Sequence, residues 1–196
     1  MNGFERRKEQ KKNSILESAL TLFLKYGVNK VTISEIAKDA NVSQVTIYNY
    51  FESKDNLVRE VLTYYVNKIW EKYERLFDSD LPFPDKVKKI IFDKSLVAGE
   101  VNEDFFKQFM LEYSKESNFI EQFYREKALP RFMKLFEEGK EQGFVDQNIS
   151  NEAILFYIQM FADYMRREEI ADSLLPLTED LTKIFFYGVA GKREDD

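Results

Sequence analysis

The chain has 196 residues, of which 44% are hydrophobic and 33% charged, a formal net charge of −6, and neither histidine nor cysteine. This composition excludes disulfides, thiolate metal sites and the Ser–His and Cys–His catalytic arrangements, and no metal or organic cofactor is expected. No apolar run approaches the ~20 residues of a membrane span, and the N-terminus is polar and charged, which predicts a soluble, cytoplasmic protein with no membrane partner.

Charge is unevenly distributed along the chain. Residues 1–55 contain nine Lys/Arg against seven Asp/Glu, a net charge of +2, whereas the remaining 20 Lys/Arg against 28 Asp/Glu give −8. This asymmetry favours a small module that tolerates polyanions, joined to an acidic part that does not. The cluster Arg6–Arg7–Lys8 fits contact with a polyanion and a solvated chain terminus equally well.

Helical periodicity begins near the N-terminus. A first helix is predicted from about Lys11 to Tyr26, with its apolar residues on one face and Gly27 as its stop. The sequence Thr32-Ile-Ser-Glu35 is a capping box, which predicts the start of a second, short helix. Asn41 follows that helix and can adopt the left-handed turn conformation.

Two serines predict the starts of the next helices. Ser43 caps a short helix, Gln44–Phe51, and Ser53 caps a long one that reaches about Phe77. Two short helices separated by a three- to four-residue turn and braced by a first helix form a helix-turn-helix. Ile47 and Phe51 lie on one side of the second short helix, so its Gln, Thr, Asn and Tyr side chains can reach bases and phosphates. Periodicity alone leaves open that these aromatic residues are core and that the geometry is plain packing.

The stretch TISEIAKDANVSQVTIYNYFESKDNL, residues 32–57, resembles the DNA-binding module of TetR-type transcriptional repressors. The shared pattern is Thr-x-x-x-Ile-Ala, then Val-Ser, then Thr-Ile-Tyr-x-Tyr-Phe-x-x-Lys. The resemblance spans about residues 10 to 57, roughly a quarter of the chain. Asn41 stands where many members have Gly, a turn that Asn tolerates. The resemblance implies that Thr32 and Tyr48 contact phosphates and that Lys54 contacts the DNA backbone. It places five residues near the bases: Ser34, Gln44, Val45, Thr46 and Asn49.

The acidic remainder is predicted to be helical as well. Further helices are expected after Pro82-Phe-Pro84 to about Val101, over Glu103–Glu116, over Phe119–Gln142 with a kink at Pro130, over Asn151 to about Glu169, and from about Thr178 to Ala190. The predicted fold class is therefore all-α. A three-helix helix-turn-helix DNA-binding domain (residues 1–55) precedes a larger helical bundle for ligand binding and dimerisation (residues 56–196).

The last two predicted helices are apolar around most of their circumference, which is typical of helices buried on more than one side. In the first of them, Gln159 and Asp163 belong to a narrow polar stripe; in the second, Gly188 suggests the close approach of a neighbour. The resemblance implies a homodimer that pairs these helices across a two-fold axis. An interior position in a monomer is the alternative.

The middle helices are rich in aromatic residues, and the resemblance implies a small-molecule effector there, of unknown identity. The candidate ligand-binding residues are Trp70, Phe105, Phe109, Met110, Glu112, Tyr113, Gln159 and Asp163. A carboxylate among aromatic rings suits a cationic ligand, whereas a fatty or planar aromatic ligand fits the rings equally well. An aromatic stripe at helical spacing is, however, also typical of a plain core.

These features predict a repressor that a small apolar or aromatic molecule releases from its DNA operator. A DNA-binding dimer whose larger domain senses a protein partner is the alternative. Catalysis is disfavoured because the chain has no Glu-x-x-His pair and no glycine-rich phosphate loop, and its serines and lysines lack a recognisable catalytic partner.

Overall fold

The computed structural model describes residues 3–90, 101–115, 118–165 and 171–190, and these ranges contain helices and connecting turns but no strand. The predicted all-α class is confirmed. Its helices are α1 (Gly3–Tyr26), α2 (Ile33–Asp39), α3 (Gln44–Phe51), α4 (Lys54–Phe77), α5 (83–90, up to the edge of a described range), α6 (Glu103–Ser114), α7 (Phe119–Phe123), α8 (Leu129–Glu141), α9 (Asn151–Met165) and α10 (Ala171–Ala190). In the described ranges no helix combines the length and apolar character needed to cross a bilayer.

The first of two compact units comprises residues 1–70 and 100–109. Each of α1, α2, α3, α4 and α6 contributes fully buried side chains to its core, which are Ile15, Ala19, Phe23, Ile36, Ile47, Phe51, Leu57, Val61 and Phe105. The predicted functional boundary after residue 55 stays a prediction. The packed unit is larger because the start of α4 and the first half of α6 complete its core.

Local hydrogen bonds explain where the short helices begin. The Thr32 hydroxyl accepts the Glu35 N–H at 3.3 Å, and Glu35 Oε2 accepts the Thr32 N–H at 2.7 Å, so the predicted capping box is confirmed. Ser43 Oγ accepts the Thr46 N–H at 3.0 Å and caps α3 as predicted. Asn41 has φ 52°, the left-handed conformation expected of it.

The second compact unit comprises residues 71–99 and 110–196. Phe136 is completely buried at its centre, with ring centroids 5.8 and 6.0 Å from those of Phe185 and Phe186. A Cβ at Gly139 would lie 2.7 Å from Val145 Cγ2 and 2.8 Å from a ring carbon of Phe83, so this tight packing requires glycine.

A buried ion pair joins three segments of this second unit. Lys86 is 4% exposed, and its ammonium donates to the Phe77 carbonyl at the end of α4 and to Glu138 Oε2 in α8, each at 2.9 Å. Because a buried charge without partners is costly, these two contacts fix α5 against both helices.

Pro130 lies two residues after the end of a π-helical turn, and the kink predicted at this proline stays a prediction. Residues Tyr124–Ala128 form this turn between α7 and α8, and the Leu129 N–H bonds to the Tyr124 carbonyl. A proline removes one helical donor and crowds the preceding turn, and the wider π turn ends immediately before Leu129 and Pro130.

Two helices begin earlier than predicted. Helix α1 starts at Gly3 because residues 3–10, although they lack apolar periodicity, are rich in Glu, Arg, Lys and Gln, which favour helix. Helix α10 starts at Ala171, so Pro176 lies inside it and does not precede it. The predicted ends of three other helices, near Val101, Glu116 and Glu169, fall at or within stretches outside the described residues.

Candidate DNA-binding surface

Helix α3 presents one buried and one open face. Ile47 and Phe51, four residues apart, are buried in the core of the first unit, whereas Val45 is 66% and Tyr48 47% exposed. Gln44 and Asn49 are exposed as well. An exposed valine and tyrosine beside two amides, on a helix anchored by its other face, match the requirements for reading a major groove.

The first turn of α3 is held by hydroxyl groups. Ser43 Oγ and Thr46 Oγ1 are 2.8 Å apart, and Thr46 is half-buried. Thr46 therefore stabilises the start of α3 through its hydroxyl, and it is less open to a base than Gln44 or Val45.

At the start of α2, Thr32 and Ser34 are exposed. Both the N–H and the hydroxyl of Thr32 donate to Glu35 Oε2 at 2.7 Å, and these bonds lower the pKa of the Glu35 carboxyl, with nearby Lys54 as a smaller cause. A phosphate approaching Thr32 would compete with this carboxylate. The phosphate contact of Thr32 stays a prediction.

Lys54 stands at the start of α4, and its ammonium donates to the Val28 carbonyl at 2.8 Å. It is half-buried and ties α4 to the loop that follows α1. A lysine ammonium has three donors, so a contact with the DNA backbone remains compatible with this bond.

Two residues before and at the start of α6 hold the same loop, and sequence reasoning did not single them out. The Asn102 N–H donates to the Leu24 carbonyl at 3.1 Å. Asp104 accepts the Asn29 N–H at 2.8 Å and the Asn29 side-chain amide at 2.5 Å. The local sequence Asn-x-Asp indicates only a helix start, because Asn and Asp are common helix-capping residues. It does not indicate a contact with the distant loop.

Residues 15–61 match the family described as bacterial regulatory proteins, tetR family. YhgD of Bacillus subtilis, described as an uncharacterized HTH-type transcriptional regulator, is 33% identical over 82 residues, which are 42% of this chain and 43% of YhgD. The HTH-type transcriptional repressor KstR2 of Rhodococcus jostii is 30% identical over 74 residues, 38% of this chain and 36% of KstR2. The family match covers about a quarter of the chain, its helix-turn-helix region. The chain spans less than half the length of these curated relatives.

Solved structures share the fold of this chain over most of its length. FadR of Bacillus halodurans, a fatty acid degradation regulator, has a TM-score of 0.55 at 19% identity over 90% of this chain and 98% of that one. Thermus thermophilus FadR, a TetR-family repressor solved with lauroyl-CoA, has a TM-score of 0.55 at 18% identity over 94% of this chain and 98% of FadR.

Three of the candidate ligand-binding residues lie in the first unit. Phe105 is 1% exposed and packs edge-to-face on Tyr65 with ring centroids 5.2 Å apart. Phe109 lies 6.3 Å from the same tyrosine, and Trp70 is buried. Phe105 and Phe109 thus pack into the core of the helix-turn-helix unit, and their ligand role stays a prediction.

The other candidates lie in the second unit. Met110 is buried, Tyr113 is half-buried, and Glu112 pairs with Lys115 at 2.5 Å. Gln159 is exposed on α9, and the side chain of Asp163 lies outside the described part of the chain. The eight candidates therefore divide between two separately packed units.

Helices α9 and α10 carry apolar side chains that the rest of the chain leaves exposed. Phe156, Met160 and Tyr164 recur every four residues along α9, and Phe156 is 70% exposed. Ile184 on α10 is 61% exposed, and a Cβ at Gly188 would meet nothing within 4 Å. The alternative of α9 as an interior helix of a monomer does not hold for this face.

Proposed function

We propose that this chain is a dimeric transcription regulator of the cytoplasm, most simply a repressor that leaves its DNA operator when it binds a small apolar or aromatic molecule. The observation that carries the proposal is the open face of α3 in a module that matches the tetR family. The named relatives are themselves transcriptional regulators, which supports the same class.

In this proposal the exposed side chains of α3 divide the contacts with DNA. Gln44 and Asn49 carry amides that can bond bidentately to adenine, and Val45 suits a thymine methyl group. The Tyr48 hydroxyl reaches a phosphate and sets the position of the helix without reading sequence. Ser34 on α2 and the half-buried Thr46 on α3 supply hydroxyl contacts through shorter side chains.

Dimerisation supplies a second copy of α3, which can read a second half-site. The open apolar stripes of α9 and α10 support a two-fold interface that buries Phe156, Met160, Ile184 and their neighbours against a second copy. Two copies of α3 then read two half-sites one DNA turn or a multiple of it apart.

The effector acts by binding one conformation of the dimer better than another. A ligand that prefers the conformation with the wrong half-site spacing weakens operator binding by the ratio of its two affinities. Bacillus subtilis FadR was solved with stearoyl-CoA and Thermus thermophilus FadR with lauroyl-CoA, so long-chain acyl-CoA thioesters are the first effectors to test.

The decisive experiment is fluorescence anisotropy of the purified chain on labelled DNA from around its own gene and on sites selected from a random library. Saturable binding to one site is expected. Asn49→Ala should reduce specific affinity by about 5- to 150-fold, since a bidentate base contact contributes about 1–3 kcal/mol. Asn67→Ala, at an exposed position on α4, should leave affinity unchanged. No binding to any fragment at low salt would refute the proposal.

A further inference from the structure

The start of α1 is a helical extension outside the region that matches the family. The match begins at residue 15, whereas α1 begins at Gly3 and continues without a break. Residues 3–14, called here the basic arm, add about 18 Å of helix at 1.5 Å per residue. All of them are exposed except Lys12, which is half-buried, so the arm has no core of its own.

The basic arm contains most of the positive charge of the N-terminal part. Its five basic residues against two acidic ones give +3, and they are Arg6, Arg7, Lys8, Lys11 and Lys12 against Glu5 and Glu9. The family-matched residues 15–61 contain five basic and six acidic residues, a net charge of −1. The affinity gained from counterion release depends on the number of phosphates that cations neutralise, so cations outside residues 15–61 would add to it.

The fold itself uses one of these cations. Lys12 Nζ lies 3.1 Å from Glu60 Oε2 and 5.9 Å from the centre of the Phe51 ring, both in the first unit. In the described ranges, no ion pair involves Arg6, Arg7, Lys8 or Lys11. These four charges are therefore available to an external anion.

A hydrogen bond from α3 holds the basic arm beside the proposed recognition helix. The Tyr50 hydroxyl donates to the Lys8 carbonyl at 3.2 Å. Tyr50 follows Asn49 directly on α3, and Arg7 and Lys11 lie within one helical turn of the bonded carbonyl. The free cations are thus held close to the side chains that face the bases.

We infer that the basic arm is a second DNA-binding element, which binds the phosphates beside the bases that α3 reads. Tyr50 is its positioning residue. The inference rests on the proposed function. Its ligand is the phosphodiester backbone of duplex DNA, bound without regard to sequence. The arm has a net charge of +3, whereas residues 15–61 have a net charge of −1.

The test neutralises the four free cations together and measures operator affinity against salt concentration by anisotropy. The slope of log affinity against log salt should become shallower by roughly 0.9 for each phosphate that the arms no longer neutralise, counted over both arms of the proposed dimer. Affinity at low salt should fall at least tenfold, while the preference for the operator over a scrambled site stays the same. The substitutions are Arg6→Gln, Arg7→Gln, Lys8→Gln and Lys11→Gln.

A control variant makes the same change in net charge on exposed lysines of the second unit, and it should keep the slope and affinity of the unmodified chain. Its substitutions are Lys88→Gln, Lys89→Gln, Lys127→Gln and Lys134→Gln.

If the arm variant behaves like this control, the arm is only a solvated terminus, and the proposed function stands without it. If neither the unmodified chain nor any variant binds DNA, both proposals fail. If the arm variant loses binding to heparin but not to the operator, the arm serves another polyanion and the inference is overturned.

Tyr50→Phe separates positioning from charge, because it removes one hydroxyl and keeps the ring. It should lower operator affinity about two- to fivefold in the unmodified chain and have no effect once the arm is neutralised, since coupled residues are non-additive. A purely structural role of the hydroxyl would give the same loss in both backgrounds. Circular dichroism would establish that the variants remain helical.

Discussion

At the scale of single residues, the capping box of α2 makes the first unit sensitive to acid. Two hydrogen bonds from Thr32 lower the pKa of the Glu35 carboxyl in the folded chain. The resulting stabilisation is fully present above the pKa of Glu35 in the unfolded chain, and it is lost as the pH falls through the lower, folded pKa. We expect Glu35→Gln, which can still bond to the Thr32 N–H, to reduce the loss of unfolding free energy between pH 6 and pH 3.

Urea denaturation at a series of pH values would measure this difference. Glu9→Gln, at an exposed position of α1, is the matched control, and it should lose stability with acid as the unmodified chain does. Identical pH profiles for Glu35→Gln and the unmodified chain would show that the capping carboxylate does not contribute to the acid sensitivity.

Glu52, between α3 and α4, is held in a strained backbone conformation. It has φ 66° and ψ −41°, and the Ser53 N–H bonds to the Phe51 carbonyl at 2.7 Å across it. Side-chain-bearing residues in such conformations cost about 1–3 kcal/mol, whereas glycine adopts them readily. We expect Glu52→Gly to raise the free energy of unfolding by about 1 kcal/mol after the greater chain entropy of glycine is subtracted. Glu52→Ala removes the same charge but keeps a Cβ, and an equal gain from it would refute this explanation.

In the described part of the first unit, two residues other than glycine have positive φ, and the sequence indicated one of them and not the other. Asn41 could be predicted because asparagine tolerates positive φ and follows a short apolar helix. Glutamate carries no such preference, and the conformation of Glu52 arises because α3 and α4 must be joined by two residues while both pack on the same core. Local sequence does not encode that constraint.

At the scale of elements, the loop between α1 and α2 depends on Gly27. Its φ is 85°, and a Cβ there would lie 2.8 Å from Asn102 Oδ1 and 2.9 Å from Asp104 Oδ2. We expect Gly27→Ala to lower the free energy of unfolding by about 2 kcal/mol, through backbone strain and disruption of the bonds that join this loop to α6. Thermal or urea unfolding would measure the decrease. At Gly3 the nearest group to a Cβ is Arg7 Nη1 at 3.9 Å, so Gly3→Ala should cost nothing, and equal effects of the two would contradict the argument.

Helices with an apolar face and a capping residue were predictable within a few residues, as α2 and α3 illustrate. The start of α1 was missed because a helix without a core face lacks apolar periodicity. The start of α10 was predicted near Thr178, whereas the helix begins at Ala171 and contains Pro176. The bonds of Asp104 to Asn29 were out of reach, since they join residues 75 positions apart.

At the scale of the whole molecule, the open faces of α9 and α10 should determine the oligomeric state. We expect the unmodified chain to have twice the 23.3 kDa mass of one chain in sedimentation or light scattering. Ile184→Glu places a charge in the proposed interface and should give a monomer, because burying an unpaired carboxylate is costly. Its operator affinity should fall as well, since only one half-site is then held at a time.

Phe119→Glu is the control for this prediction. It changes an aromatic side chain on α7 that is also exposed, and it should leave the mass and the operator affinity unchanged. A monomeric mass for the unmodified chain at micromolar concentration would contradict the proposed interface.

Effector residues were the least predictable part of the molecule. Composition shows that 15% of residues are aromatic, but not which of them fill a core. Phe105 illustrates the difficulty, because its position on α6 follows the same periodicity whether the ring faces a ligand or, as here, Tyr65. That choice depends on packing between segments distant in sequence, which no local pattern records.

The π turn at Tyr124–Ala128 has a consequence for how the chain can change in length. A π-helical turn closes its hydrogen bond over one more residue than an α-helical turn, so it holds a single extra residue between α7 and α8. Deleting one residue there would restore α-helical bonding while α7 and α8 kept their faces toward the same neighbours. A deletion elsewhere in these helices would instead rotate everything beyond it by about 100°. This turn is therefore the position in the second unit where natural variants one residue shorter are expected to retain the fold.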